Sequence, residues 1–243
     1  MQKIRSNLIK LMQKSTNKII SEKRNFYFNR GIEFIIKDPL PDSVNVEKVM
    51  GLLRANLPVS CYDGLKNVYF GKFDILDKRQ LTALHYKDNI YIDSTKVENE
   101  EDVLDDLIHE FAHRFEENNS EIIYEDGKII NEFIGKRNRL HDLISQEVNL
   151  EKDYEKINYF DFINTDYDKE FDNFLHNEIG YEKIKNLAPT LFIRPYAATS
   201  VREYFATGFE DYYLNGGQEL KGISPILFNR IEQLDKNTDF KRS

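Results

Sequence analysis

His109-Glu110-Phe111-Ala112-His113 is the stretch around which the rest of this sequence is organised. Apolar residues before and after it recur at helical spacing and form one continuous stripe, which predicts a helix with a buried back. The two histidines and the glutamate share a different face of that helix. Because histidines four residues apart project side by side, one ion can reach both imidazoles while the glutamate points at water bound to that ion. The stretch therefore indicates zinc-dependent hydrolysis, although the same residues would also fit an ordinary surface helix.

A third metal ligand is needed, because catalytic zinc sites use three protein ligands and keep one position open. The candidate is Glu203, near the start of a helix predicted over residues 199–214. A carboxylate at the beginning of a helix is favoured by the helix dipole. Tyr196 precedes this glutamate by seven residues, in a short segment that contains a proline.

Together these residues resemble the catalytic-domain family of anthrax lethal factor, which includes the Pro-Pro endopeptidases and belongs to the gluzincin zinc peptidases. The resemblance rests on the His-Glu-Phe-Ala-His core, on the later helix that carries Glu203, and on the tyrosine before it. It implies one zinc ion per chain, with His109, His113 and Glu203 as its ligands. It further implies Glu110 as the general base and Tyr196 as the hydroxyl that steadies the oxyanion.

The sequence departs from the family pattern in two places. The interval between His113 and Glu203 is long for the family, which predicts a helical insertion at about residues 120–188. The position four residues after the glutamate ligand, often acidic in gluzincins, is Thr207. A carboxylate that supports one of the histidines must then come from elsewhere, and Asp106 and Glu210 are both candidates.

The predicted fold class is α+β, specifically a zincin-like metallopeptidase fold with a mainly helical C-terminal half. A small mixed sheet is expected to pack on the motif helix, which is predicted to end at Glu117 before a short strand at residues 121–126. The other predicted elements are strands at residues 31–37, 67–73, 81–86 and 89–93, a helix at 44–56, and later helices at 128–145 and 224–234.

One predicted strand is assigned to the wall of the substrate cleft. Residues 81–86 and 89–93 form a predicted hairpin that leads directly into the motif helix. An edge strand pairs with an extended peptide through main-chain hydrogen bonds, which aligns the peptide over a metal with little sequence demand. The predicted substrate contacts are Leu81, Ala83 and His85.

Composition sets the broad class of the protein. The chain has 243 residues, of which 40% are hydrophobic and 31% are charged, as in ordinary globular proteins. Its single cysteine, Cys61, excludes an internal disulfide. The sequence has no apolar run of membrane-spanning length and no secretory signal segment, so we expect a protein that stays in the cytoplasm or is released without a cleaved signal.

Charge is distributed unevenly along the chain. Residues 1–30 hold eight basic residues and one acid, which is a net charge of +7. Because the whole chain has a net charge of −8, the remaining residues carry a net charge of −15. An acidic body argues against nucleic acid as a partner. Residues 1–30 are predicted to be a basic amphipathic helical extension, and residues 31–243 the peptidase domain. The extension either packs on the body or docks on an acidic partner or an anionic membrane surface.

The sequence supports more than one class of function. The first is a zinc endopeptidase whose substrate is a protein or peptide. The second is a non-enzymatic binding or structural protein that keeps a peptidase fold, for example a component of a phage or mobile element. A third is hydrolysis of another amide or an ester by the same site.

Overall fold

The computed structural model of the protein describes residues 24–79, 81–148, 150 and 157–239. Within these residues the fold is α+β, as predicted: a small mixed sheet comes first and a mainly helical region follows. The strands are β1 (Asn25–Tyr27), β2 (Glu33–Ile36), β3 (Asn67–Gly71), β4 (Ala83–Tyr86) and β5 (Asn89–Asp93). The longer helices are α1 (Val46–Asn56), α3 (Glu100–Ile123), α4 (Lys128–Glu147), α8 (Val201–Asn215) and α10 (Pro225–Asp239). The shorter ones are α2 (Asp74–Arg79), α5 (Tyr159–Ile163), α6 (Lys169–Asn173), α7 (Tyr181–Leu187) and α9 (Gln218–Ile223).

The sheet has the strand order β1-β2-β3-β5-β4. The inner strands β2, β3 and β5 run parallel, whereas β1 and β4 are antiparallel to their neighbours. Strand β4 therefore forms one edge of the sheet. It reaches that edge through the predicted hairpin, whose turn places Lys87 at a positive φ of 56°.

Alternation along the strands fixes which face of the sheet is buried. Val68, Phe70, Ile90 and Ile92 are fully buried, as alternating β-branched and aromatic residues on a core face should be. Between them, residues such as Tyr91 point to the other face and are only partly buried. Helix α3 contacts β4 and β5, so the sheet and the motif helix are packed together.

Helix α3 carries the motif and begins as the sequence predicts. The side chain of Asn99 accepts a hydrogen bond from the backbone N–H of Asp102, and three acids occupy the first turn. The predicted end at Glu117 and the predicted strand at residues 121–126 are wrong, because α3 continues to Ile123. Ile123 is fully buried and continues the helix's apolar face, while the intervening polar residues lie on the more exposed side.

The predicted N-terminal extension is partly wrong. Residues 1–23 lie outside the described part of the chain, but residues 25–27 form β1 of the sheet instead of helix. Strand β1 returns to β2 through a turn in which Arg30 and Gly31 both have positive φ. The folded body therefore begins before residue 31, because Phe28 is already buried against Tyr62 and Phe34.

Helix α8 brings the second half of the predicted site onto α3. Its N-terminus is capped by Ser200, and it ends at Gly216, whose φ of 75° suits a glycine after a helix. The Phe115 and Phe209 rings lie 5.6 Å apart between the two helices. Gly208 permits a close approach to α10, because a Cβ there would lie 2.5 Å from a methyl group of Leu227.

The described residues of the region predicted as an insertion are mainly helical, with non-helical connections such as residues 124–127 and 164–168, and residues 120–123 belong to α3 itself. The last helix, α10, extends to Asp239, beyond the predicted end at residue 234. No helix in the described part of the chain is long and apolar enough to cross a membrane.

Candidate metal centre

The motif residues lie together on one face of α3. One possible ligand atom from each of His109, Glu110 and His113 lies within 4.8 Å of the others. The imidazole rings of the two histidines are 4.9 Å apart and nearly perpendicular. Glu110 is 7% exposed and His113 is 8% exposed. Because isolated polar groups are rarely buried this far, the surface-helix interpretation of the motif does not fit the structure.

Glu203 meets this face from α8, although it lies 94 residues after His109. Its Oε2 lies 3.0 Å from Nε2 of His109, and its Oε1 lies 3.4 Å from Nε2 of His113. The Ser200 cap stands three residues before it in the chain and accepts a hydrogen bond from the N–H of Glu203. The start of α8 is thereby fixed where its first carboxylate reaches both imidazoles.

These separations can be compared with the spacing of ligands around a tetrahedral zinc ion. Zinc ligands stand about 2.0–2.1 Å from the ion, so two ligands at the tetrahedral angle are about 3.3–3.4 Å apart. The two nitrogen–oxygen distances, 3.0 Å to Oε2 and 3.4 Å to Oε1, are close to this value but involve different oxygens of Glu203. The donor set of two imidazoles and one carboxylate is also one that catalytic zinc sites use. His109, His113 and Glu203 are therefore close enough to one another to reach a single ion.

The surroundings of His109 favour its protonated form. Burial opposes a charge on His109, but hydrogen bonds to Glu203 and Glu210 outweigh it and raise the pKa of His109 to about 10. Burial also opposes the charge of Glu203, yet the two histidines hold the pKa of its carboxyl far below the usual range. A metal ion that binds here must displace the proton of His109.

The structure separates the two candidates for the supporting carboxylate. Oε2 of Glu210 lies 3.4 Å from Nδ1 of His109, on the side of the ring opposite Glu203, and Glu210 is 2% exposed. Asp106 instead accepts a hydrogen bond from the hydroxyl of Thr82 at 3.0 Å. The carboxylate thus stands seven residues after Glu203, and not at the fourth position, where Thr207 is buried.

Two arginines that the sequence analysis did not select connect the site to its surroundings. Arg194 donates a hydrogen bond to Oε1 of Glu210, whose other oxygen faces the histidine. Arg202 donates to the buried carboxylate of Glu116 at 2.9 Å, and Tyr124 donates to the same carboxylate at 2.6 Å. The contacts of Arg202 and Tyr124 with Glu116 tie α3 to α8 beside the ligands. The only sequence signal for these two arginines is their position: Arg194 is two residues before Tyr196, and Arg202 directly precedes Glu203.

Tyr196 lies in a single helical turn, Pro195–Ala198, directly before α8. Burial, then the negative charges of Glu203 and Asp172, hold the pKa of its hydroxyl above the usual range, so the hydroxyl stays protonated. The backbone after it is anchored by the fully buried Arg137, which donates to the carbonyl of Ala198 at 2.5 Å. The protonated hydroxyl is therefore a hydrogen-bond donor, and the charge of Glu203 acts on it.

The predicted substrate residues divide into two groups. Ala83 and His85 belong to the edge strand β4 and alternate along it. Leu81 lies before the strand, and its backbone groups are already used: its N–H donates to Leu76 and its carbonyl accepts from Lys96. Leu81 is thus unsuited to main-chain pairing with a peptide, whereas the edge at Ala83 and His85 flanks the motif helix.

Comparisons of this chain with protein-family models, with curated proteins and with solved structures find no match. The resemblance to the gluzincins therefore depends on the residues of the chain, and the geometry of the site is independent of it.

Proposed function

We propose that this protein is a zinc-dependent endopeptidase of the gluzincin type with a zincin-like fold. The observation that supports this most directly is the close approach of Glu203 to both His109 and His113, at 3.0 and 3.4 Å, from a helix that is distant in sequence. A surface helix with unrelated histidines would have no reason to face a partly buried carboxylate from another helix. The donor set leaves one zinc position open, as a catalytic site requires.

The chain's own residues have distinct roles in this proposal. When bound, zinc would supply Lewis-acid activation of a water molecule and of the peptide carbonyl. Glu110 is the general base: it takes a proton as the water attacks and gives it to the leaving amine. The protonated hydroxyl of Tyr196 donates to the oxygen on which negative charge develops. Glu210 orients His109 through Nδ1 and favours its ligand tautomer.

A peptide is the proposed substrate class because of the edge strand beside the motif. Among the described residues no further strand pairs with β4, which lies next to α3, so its edge can align an extended chain by main-chain hydrogen bonds. Hydrolysis of a small amide or ester would gain nothing from such an edge. The basic segment at residues 1–23 remains a proposed docking element for an acidic partner or an anionic membrane surface.

The proposal is tested first by zinc content, measured by elemental analysis for the wild type and for Glu203→Ala. We expect one zinc per wild-type chain and much less in the variant. Little zinc in either protein would refute the metal centre. The next measurement is cleavage of a peptide library by the wild type and by Glu110→Gln, which should keep zinc and lose nearly all turnover. Zinc binding without cleavage by the wild type would favour the alternative, a non-enzymatic binding protein.

A further inference from the structure

The open edge of β4 presents a defined set of backbone groups. In an antiparallel pair, residues alternate between those that bond to the neighbouring strand and those that point away from it. The N–H of Asp93 donates to the carbonyl of Thr82 at 2.8 Å, and Ala83 stands opposite Ile92 in the register. The backbone groups of Ala83 and His85 therefore point away from β5, toward the open edge.

One of these edge groups is already bonded within the protein. The N–H of His85 donates to Oε2 of Glu110 at 2.5 Å. The acceptor is the carboxylate that the proposed mechanism uses as general base, and it is almost fully buried. A hydrogen bond from an N–H to a carboxylate is about twice as strong as one to a neutral carbonyl. A substrate carbonyl would therefore compete poorly for this N–H.

We propose that the backbone N–H of His85 is a positioning group for Glu110, and that it does not pair with the substrate. This inference rests on the proposed function. By fixing one carboxylate oxygen, the N–H leaves the other for the water that the proposed mechanism activates. Glu110 has a carboxylate oxygen within 4.8 Å of a ligand nitrogen of each histidine. Main-chain pairing with a peptide is then left to the groups of Ala83 and the carbonyl of His85. The imidazole of His85 is not required for this role.

The contact can be detected without any assay of activity. The chain contains five histidines, so zinc-loaded protein labelled with ¹⁵N-histidine gives five backbone amide signals at most. The signal of His85 is assigned as the one lost in His85→Ala. We expect a low-field amide proton that moves upfield and exchanges faster in Glu110→Ala. Glu117→Ala is the matched control, because Glu117 acts on the His85 ring only through its charge. An amide signal that responds equally to both changes would overturn the proposal.

The role of the contact is tested by comparing His85→Pro with His85→Ala. Both variants lose the imidazole, but only proline also removes the N–H. Proline is tolerated on an edge strand where the N–H does not pair with the sheet. On a peptide that the wild type cleaves, kcat of the proline variant should be lower by tenfold or more, on the order of one hydrogen bond to a charged group. Its KM and zinc content should match those of the alanine variant.

The outcomes of this comparison distinguish failure of the positioning role from failure of the proposed peptidase function. A raised KM with unchanged kcat in His85→Pro would show that the N–H pairs with the substrate, which would overturn the inference and leave the peptidase intact. If the wild type cleaves no peptide, the proposed function fails, and the positioning role fails with it. In that case the amide signal still decides whether the contact exists. Circular dichroism establishes that His85→Pro is folded before its kinetics are compared.

Discussion

Glu210→Gln should weaken zinc binding about tenfold to a hundredfold. Glu210 uses one oxygen for Arg194 and faces Nδ1 of His109 with the other at 3.4 Å. Glutamine has a single acceptor oxygen, so it can keep only one of these contacts. Loss of a carboxylate that orients a metal-bound histidine typically costs 10–100-fold in affinity, which is about 1.4–2.7 kcal/mol. Because the side chain of Arg194 is 52% exposed, water can replace part of the hydrogen bonding that Arg194 loses. The lost free energy therefore comes mainly from the contact between residue 210 and His109.

The assay is competition for zinc between the protein and a chromophoric chelator at fixed pH. Asp106→Asn is the matched control, since Asp106 is a carboxylate on the same helix but is bonded to Thr82. We expect less than a threefold change in zinc affinity for this control. If Asp106→Asn weakened zinc binding more than Glu210→Gln, the assignment of the supporting carboxylate would be refuted.

Three further outcomes follow from the site. Tyr196→Phe should keep its zinc and lose part of kcat, because it removes one donor to the oxyanion; an unchanged kcat would exclude that role. Arg202→Met should destabilise the fold by about 1–2 kcal/mol in urea denaturation, since it leaves the buried carboxylate of Glu116 without its cation, and Arg202→Lys should cost less. In metal-free protein, burial lowers the pKa of His109, but the combined effect of Glu203 and Glu210 outweighs it and raises this pKa from 6.5 to about 10. Its contribution to stability is therefore complete below pH 6.5 and is lost as the pH rises through 10, so the melting temperature should fall over that range, and it should fall less in His109→Gln.

The sequence was sufficient for the elements whose pattern is local. The helical stripe around the motif, the hairpin of β4 and β5, and the helix that begins after Ser200 all appear where periodicity and capping predicted them. The end of α3 was misplaced because three polar residues at 118–120 resemble a turn, while nothing in the local pattern shows that Ile123 has a buried partner. Strand β1 was missed because it is only three residues long and follows a basic segment.

The parts of the site that depend on long-range packing could not be derived from the sequence. Asp106 and Glu210 were equally reasonable partners for the histidine, because both lie on helices that carry ligands. Only the relative placement of α3 and α8 distinguishes them. The same applies to Arg194, Arg202 and the N–H of His85, whose partners are between 16 and 86 residues away in the chain.

The distance between the ligands in the chain has a consequence for biosynthesis. His109 and Glu203 are 94 residues apart, and domains emerge from the ribosome at about 5–20 residues per second. The motif helix is therefore made roughly 5 to 20 seconds before its third ligand. During that interval two imidazoles alone cannot retain the ion as a complete site does. Under the proposed function, a nascent chain would carry no proteolytic activity until its C-terminal third had been translated and folded against α3.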